Sequence, residues 1–190
     1  MKIADTTMRT DLHQSLRHSH IEPHLLSTFQ RILLTTDGTL THILEAYLFE
    51  QIQVVKLSEQ LITTVQDIPA IELKQGTEVI ERKILLQGKI SKRNFIYAES
   101  ILIPERLNDE FRNELLKTKT PIGKIWFEQR VETFKEIFDS GKKPANNLAT
   151  YFNIPPVENL LFRSYSVTSN RQTVMMITEK FPESYFHKDF

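Results

Sequence analysis

Four charged residues interrupt apolar rows of the sequence, where charge is costly unless it is paired or bound. Arg82 falls in segment 79–86, whose other even-numbered positions are aliphatic. Alternate side chains of a strand share one face, so Arg82 should point into a core with those neighbours. Glu99, Arg163 and Glu179 interrupt comparable rows in later segments. Because a guanidinium keeps its proton in a protein, a buried Arg82 needs an anionic partner from the chain or from a ligand.

Two interpretations of these charges follow from the residue types. In the first, they form two buried ion pairs that serve the sheet alone. In the second, they line a pocket in which Arg82 holds the carboxylate of a small ring compound and Glu179 meets its hydroxyl group or proton. Residue types alone leave both interpretations open.

Composition excludes several classes of site. The chain has 190 residues, no cysteine and a formal net charge of zero, with no basic stripe of the kind that nucleic-acid-binding proteins carry. Disulfides, thiolate catalysis and cysteine zinc sites are therefore excluded. We find no apolar run long enough for a membrane span and no secretory signal, so we expect a cytoplasmic protein that binds no nucleic acid. Monomer is the default expectation.

Common catalytic motifs are also missing from the sequence. The five glycines are isolated, which rules out a glycine-rich phosphate loop, and no Gly-x-Ser-x-Gly or His-Glu-x-x-His motif occurs. No histidine lies between His42 and His187, so a histidine triad or metal site in the core is not expected. The sequence predicts neither a metal nor an organic cofactor.

Hydrophobic periodicity predicts the elements that must position the charged residues. Helical spacing of apolar residues occurs over 25–34, 40–48 and 107–116. Strand-like alternation or β-type composition occurs over 52–57, 78–87, 95–103, 130–137, 159–167 and 172–181. Polar segment 139–156 is interpreted as an insertion or flap with a short helix. The order of elements favours an α+β fold in which helices pack on one face of an antiparallel sheet.

The predicted domain organisation is a single folded unit. We assign residues 1–22 to a flexible N-terminal arm, 23–182 to the domain and 183–190 to a C-terminal tail, because the first segment is polar and aperiodic. The histidines of the arm, His13, His18 and His20, are interpreted as solvated residues rather than metal ligands.

Five segments in register resemble the chorismate pyruvate-lyase family, in its cyanobacterial, plastid, mycobacterial and archaeal branch. They are Leu-Leu-Thr-Thr-Asp-Gly-Thr-Leu-Thr at 33–41, Glu-Arg-Lys-Ile-Leu-Leu at 81–86, Tyr-Ala-Glu-Ser at 97–100, Thr-Pro-Ile-Gly at 120–123 and Thr-Glu-Lys-Phe-Pro at 178–182. The resemblance implies an α+β domain whose helical flaps cover a buried site. It also implies a cofactor-independent enzyme that eliminates pyruvate from chorismate to give 4-hydroxybenzoate, through positioning and electrostatics.

The resemblance assigns roles residue by residue. Arg82 stands at the arginine that binds the ring carboxylate, and Glu179 at the acidic residue near the ring hydroxyl group. The Leu40 N–H would meet the carboxylate, and the Ile122 backbone would meet the hydroxyl group. In this assignment Arg82 and Glu179 hold opposite ends of the ligand rather than each other.

One departure concerns the second carboxylate of chorismate, on the enolpyruvyl group. Members of the ubiquinone branch carry a second arginine where this chain has Ser100. We expect Arg163 to take its place, with Arg130 as the alternative. The expected product use is quinone biosynthesis, plastoquinone included, or a phenolic product, with the plastid stroma as the location if the gene is plastid-encoded. The alternative function is a non-catalytic binding domain for aromatic carboxylates, related to the effector domains of transcription regulators.

Overall fold

The computed structural model describes residues 21–117, 125, 128 and 132–187. Most of the predicted N-terminal arm lies outside these residues, as do Ile122 and Arg130. The described helices are α1 (Thr28–Thr35), α2 (Leu40–Leu48), α3 (Asp109–Lys117) and α4 (Ala149–Phe152). Short 3₁₀ turns occupy Pro23–Leu25, Pro69–Ile71, Pro104–Arg106 and Asn146–Leu148.

A six-stranded antiparallel sheet forms the centre of the described structure. Its strands are β1 (Ile52–Thr63), β2 (Glu78–Gly88), β3 (Asn94–Leu102), β4 (Phe134–Pro144), β5 (Asn159–Ser169) and β6 (Gln172–Pro182). The spatial order is β1-β2-β3-β6-β5-β4, so the predicted hairpins β2–β3 and β5–β6 meet at the β3–β6 pair. The predicted α+β class is confirmed.

The first two helices form because local signals agree with their apolar spacing. Ser27 caps α1 in a capping box: its Oγ accepts the Gln30 N–H at 3.1 Å, and Gln30 Oε1 accepts the Ser27 N–H at 3.0 Å. The buried Leu33 and Leu34 of α1 and Leu44 of α2 pack into one core cluster. A tight turn at 36–39 separates the two helices, since Gly38 N–H donates to Thr36 Oγ1 at 2.9 Å.

The sheet face that carries Arg82, called here the Arg82 face, is covered by the longer helices. Side chains opposite each other in neighbouring strands lie on the same face, so the register assigns this face strand by strand. Phe111 of α3 packs there in a buried cluster with Ile80, Leu102 and Val167. The 36–39 turn lies over the same face, because Arg163 Nη1 donates to Thr36 O at 2.5 Å. This coverage removes the centre of the Arg82 face from solvent.

The other face is covered by a loop and by the short helix. Ile71 and Leu73 of the 64–77 loop pack on Val79. Tyr151 of α4 stacks on Tyr97, with ring centroids 5.7 Å apart. Both faces are therefore apolar along much of their length.

Two segments differ from the sequence-based interpretation. Residues 139–144, interpreted as the start of a flap, continue β4, because a bulge between Ile137 and Asp139 interrupts the alternation without ending the strand. Residues 183–187, assigned to a tail, contribute Tyr185 and Phe186 to the packed core. The predicted domain bounds themselves stay a prediction.

Candidate active site

Arg82 is the most unusual residue of the Arg82 face. Its side chain is 1% exposed, and none of its three guanidinium nitrogens has a hydrogen-bond partner among the described residues. The nearest anion is Glu59, whose Oε2 lies 3.4 Å from Arg82 Nε. Burial lowers the pKa of Arg82, and the charge of Glu59 only partly opposes that shift. A buried guanidinium with unused donors is suited to bind an anion.

Glu59 is a functional candidate that the sequence did not reveal. It lies directly across from Arg82 in the β1–β2 ladder and accepts a hydrogen bond from Lys56 Nζ at 2.7 Å. Simple alternation along β1 assigns Glu59 to the opposite face from Ile52, Val54 and Lys56. A bulge between Lys56 and Ser58 inserts one residue and brings Glu59 to the Arg82 face. Sequence alone offers no signal for this bulge.

Glu179 forms a buried ion pair with Arg163 on the neighbouring strand. The two residues are opposite in the β5–β6 ladder, and Arg163 Nε donates to Glu179 Oε2 at 2.8 Å. Tyr165 Oη donates to the other carboxylate oxygen at 3.3 Å. Burial raises the pKa of Tyr165, and the Glu179 charge adds to the shift, so the phenol stays protonated as a donor. Arg82 and Glu179 therefore pair with different residues and not with each other.

Lys135 of β4 also reaches this region and was not singled out from the sequence. Its Nζ donates to Gly38 O at 3.1 Å and lies 5.7 Å from the centroid of the Tyr165 ring. The 36–39 turn thus presents one carbonyl to Arg163 and another to Lys135. This turn fixes the ends of two cationic side chains above the sheet.

Glu99 corrects the sequence-based set of inward charges. The register places Ser100, not Glu99, across from Arg82, so Glu99 lies on the other face. There it accepts hydrogen bonds from Lys180 Nζ and Tyr97 Oη, both at 2.9 Å. Burial favours a higher pKa for Glu99, but Lys180 outweighs this effect and the pKa is lowered. Because both sheet faces are covered, both carry apolar rows, and the apolar row around Glu99 did not show on which face it lies.

Of the remaining predicted site residues, the structure describes Leu40 and Arg163 but not Ile122 and Arg130. Leu40 is buried and opens α2, where Thr39 provides no side-chain cap. First-turn N–H groups have no acceptor within their own helix, so the position of Leu40 is compatible with anion binding, and its role stays a prediction. Arg163 lies on the Arg82 face with Nε and Nη1 already engaged. Ile122 and Arg130 lie outside the described residues, and their roles stay predictions.

The described residues contain neither a metal-binding cluster nor a membrane-spanning helix. No group of three or more His, Asp or Glu residues is arranged to hold a metal ion within the described ranges. None of the helices described there combines the length and apolarity that crossing a bilayer requires.

Comparison with known proteins supplies a family match that covers the site. The profile described as chorismate pyruvate-lyase, Rv2949c-like, matches residues 34–187. Chorismate pyruvate-lyase of Mycobacterium leprae is 34% identical over 158 residues, which are 82% of this chain and 75% of that protein. The Mycobacterium tuberculosis protein of the same name is 30% identical over 166 residues, covering 82% and 80%.

Solved structures that resemble the chain include an effector domain and the C-terminal domain of a repressor. The effector domain of PhnF from Mycobacterium smegmatis superposes with a TM-score of 0.60 at 9% identity, covering 78% of this chain and 90% of that one. The C-terminal domain of a histidine utilization repressor from Pseudomonas syringae gives a TM-score of 0.54 at 12% identity, covering 74% and 97%. At such identities the likeness concerns the fold alone.

Proposed function

The chain belongs to the Rv2949c-like chorismate pyruvate-lyase family of lyases, and we propose that it eliminates pyruvate from chorismate to leave 4-hydroxybenzoate. One observation carries the proposal beyond family membership. All three nitrogens of the buried Arg82 guanidinium lack hydrogen bonds to the described residues on a covered sheet face, which suits a carboxylate of the substrate.

In this proposal the substrate ring lies between Arg82 and Glu179. Arg82 binds the ring carboxylate, assisted by the N–H of Leu40 in the first turn of α2. Glu179 accepts a hydrogen bond from the ring hydroxyl group, while Arg163 and Tyr165 fix its two oxygens. The Ile122 backbone completes the hydroxyl end. Support comes from the separate surroundings of Arg82 and Glu179, since each has a different partner within the protein.

The net reaction needs only a well-held substrate. The ring carbon that bears the hydroxyl group loses its hydrogen, and the enolpyruvyl methylene gains one to become the methyl group of pyruvate. The neighbouring ring carbon–oxygen bond breaks, and the departing oxygen becomes the carbonyl oxygen of pyruvate. Aromatisation of the ring makes the reaction favourable. The contribution of the protein is to fix the two reacting carbons together in a site removed from water.

The second candidate function is a binding domain without catalysis. It is favoured by the likeness in fold to regulator effector domains. Such a domain would bind 4-hydroxybenzoate at Arg82 and release no pyruvate. Product formation therefore separates the two candidates.

The proposal extends to the use and location of the product. We infer that 4-hydroxybenzoate serves quinone biosynthesis, plastoquinone included, or a phenolic product. We propose that the enzyme is a monomer in the cytoplasm, or in the plastid stroma if it is plastid-encoded. The use of the product is tested by supplying labelled 4-hydroxybenzoate to a strain that lacks the gene and identifying the compounds that acquire the label.

The direct test is incubation of the purified protein with chorismate. Wild type should release pyruvate and 4-hydroxybenzoate in equal amounts, well above the rate in an enzyme-free blank. Arg82→Ala and Glu179→Ala should fold and lose this activity. Arg112→Ala is the control, because this half-exposed arginine pairs with Asp109 of its own helix. Folded wild type that releases neither product would exclude the lyase.

A further inference from the structure

Chorismate carries two carboxylates, and the proposed function accounts for only one of them. The cationic residues of the Arg82 face differ in what already neutralises them. Arg163 is paired with Glu179 and bound to the Thr36 carbonyl, and Lys56 is paired with Glu59. Neither cation is available without breaking an ion pair. The Ser100 position, across from Arg82, supplies no charge.

Lys135 differs from these residues in having no ion-pair partner among the described residues. Among the residues that the structure describes, no Asp or Glu oxygen lies within 4.0 Å of its Nζ, and its one hydrogen bond goes to the neutral Gly38 carbonyl. Burial lowers the pKa of Lys135, although the charge of Glu179 opposes the shift. An ammonium has three donors, so two remain for an anion.

The position of Lys135 matches the far end of the proposed substrate. It lies on β4, and Arg82 lies on β2, so the two strands are four spacings apart, or about 19 Å along the sheet. The charges of Glu179 and Arg163 both act on the Lys135 ammonium, so Lys135 lies near the Glu179 end of the site. The ring of Tyr165 lies beside Lys135, and its hydroxyl group contacts Glu179. Lys135 is thus next to the residues proposed to hold the ring hydroxyl group.

We propose that Lys135 binds the enolpyruvyl carboxylate of chorismate, in place of the arginine that Ser100 replaces. This inference rests on the proposed function and replaces the sequence-based expectation that Arg163 binds this carboxylate. Arg163 becomes the residue that positions Glu179, and Lys135 becomes the ligand of the second carboxylate. The Gly38 carbonyl holds the ammonium in place before the substrate arrives.

The two ring compounds of the reaction should respond differently to loss of Lys135. Chorismate has the enolpyruvyl carboxylate, whereas 4-hydroxybenzoate does not. A residue that only stabilises the site would affect both compounds. Lys135 should affect chorismate alone.

The experiment compares Lys135→Gln, Lys135→Arg and wild type in two measurements. Steady-state kinetics give kcat/KM for chorismate, and calorimetry gives Kd for 4-hydroxybenzoate. Loss of a charge-assisted hydrogen bond predicts that kcat/KM falls by about tenfold to a hundredfold in Lys135→Gln. The Kd for 4-hydroxybenzoate should stay within about twofold of wild type, and Lys135→Arg should recover part of kcat/KM.

Lys142→Gln is the matched control on the same strand, because Lys142 is half-exposed and pairs with Glu183. It should leave both measurements unchanged. An active wild type with unchanged kcat/KM in Lys135→Gln would overturn the assignment and leave the lyase intact. The assignment would also be overturned if Lys135→Gln weakened 4-hydroxybenzoate binding by the same factor as it lowered kcat/KM for chorismate. If wild type has no turnover, the proposed function fails, and the Kd for chorismate is compared between wild type and Lys135→Gln instead. Equal Kd values, or no binding of chorismate to either protein, would reject Lys135 as the ligand of the second carboxylate.

Discussion

At the scale of single residues, the Arg82 face holds cations whose donors are used within the protein and cations that keep unused donors. Arg163 and Glu179 satisfy each other, so their removal concerns stability as well as activity. Arg82 and Lys135 have unused donors, so their removal concerns the ligand. The sequence singled out Arg82, Arg163 and Glu179 because each interrupts an apolar row. It missed Glu59 because a bulge reverses the alternation of β1.

Glu179→Gln should both inactivate and destabilise the protein. The variant leaves the Arg163 guanidinium buried without an opposite charge, which costs about 3 kcal/mol or more in the free energy of unfolding. Chemical denaturation measures this loss. The double variant Arg163→Met/Glu179→Leu should recover much of the stability and none of the activity. A double variant as unstable as the single variant would contradict the assignment of an uncompensated charge.

Chorismate binding should weaken in alkaline solution because of Lys135. Its surroundings include Glu179, Arg163, Asp37 and the Tyr165 ring, and their combined effect with burial is a pKa below the usual lysine value. Lys135 is protonated and able to bind an anion below that pKa, and it loses its charge as the pH rises through it. KM for chorismate should therefore begin to rise at a lower pH than it would if Lys135 had the pKa of an ordinary lysine. In Lys135→Arg the rise should disappear, because arginine keeps its proton; an identical profile in wild type and this variant would contradict the prediction.

At the scale of elements, the site depends on one turn and two bulges. The 36–39 turn connects α1 to α2 and directs its Thr36 and Gly38 carbonyls toward the sheet cations. The bulge in β1 brings Glu59 toward Arg82, and the bulge in β4 extends that strand past Ile137. The helices, the two hairpins and the edge position of β1 could be predicted from periodicity and turn residues. The faces of β1 and the length of β4 could not, because one inserted residue reverses side-chain direction without changing composition.

Ser27→Ala should lower stability while leaving the chemistry nearly intact. Ser27 caps α1, and its hydroxyl group also donates to Phe186 O, so the variant loses bonds at both ends of the described chain. We expect a loss of about 1–2 kcal/mol in the free energy of unfolding. Ser27→Thr, which keeps the hydroxyl group, should lose less. A normal melting temperature in Ser27→Ala, or an equal loss in both variants, would show that the cap is not the cause.

At the scale of the whole molecule, one sheet supports two differently covered faces. Helices cover the Arg82 face, and the 64–77 loop with α4 covers the other. This double coverage explains why sequence patterns assigned Glu99 to the wrong set, since apolar rows on either face look alike. The fold class could be predicted because the order of elements is enough to specify it. The pairing of Arg82 with Ser100 required the register, which depends on turn length and bulges.

The central claim is that Arg82 is buried to bind a carboxylate rather than to stabilise the fold. Its most direct test is thermal and chemical unfolding of wild type and Arg82→Met, each with and without 4-hydroxybenzoate. Methionine removes the guanidinium with its long contact to Glu59 and keeps an apolar side chain, while Glu59 keeps its bond to Lys56. We predict that unliganded Arg82→Met is at least as stable as wild type. Wild type should gain about 2.7 kcal/mol with ligand at one hundred times its Kd, and the variant should gain nothing. A loss of about 3–5 kcal/mol in the unliganded variant would instead identify Arg82 as half of a structural ion pair, and full stabilisation of the variant by ligand would place the carboxylate elsewhere.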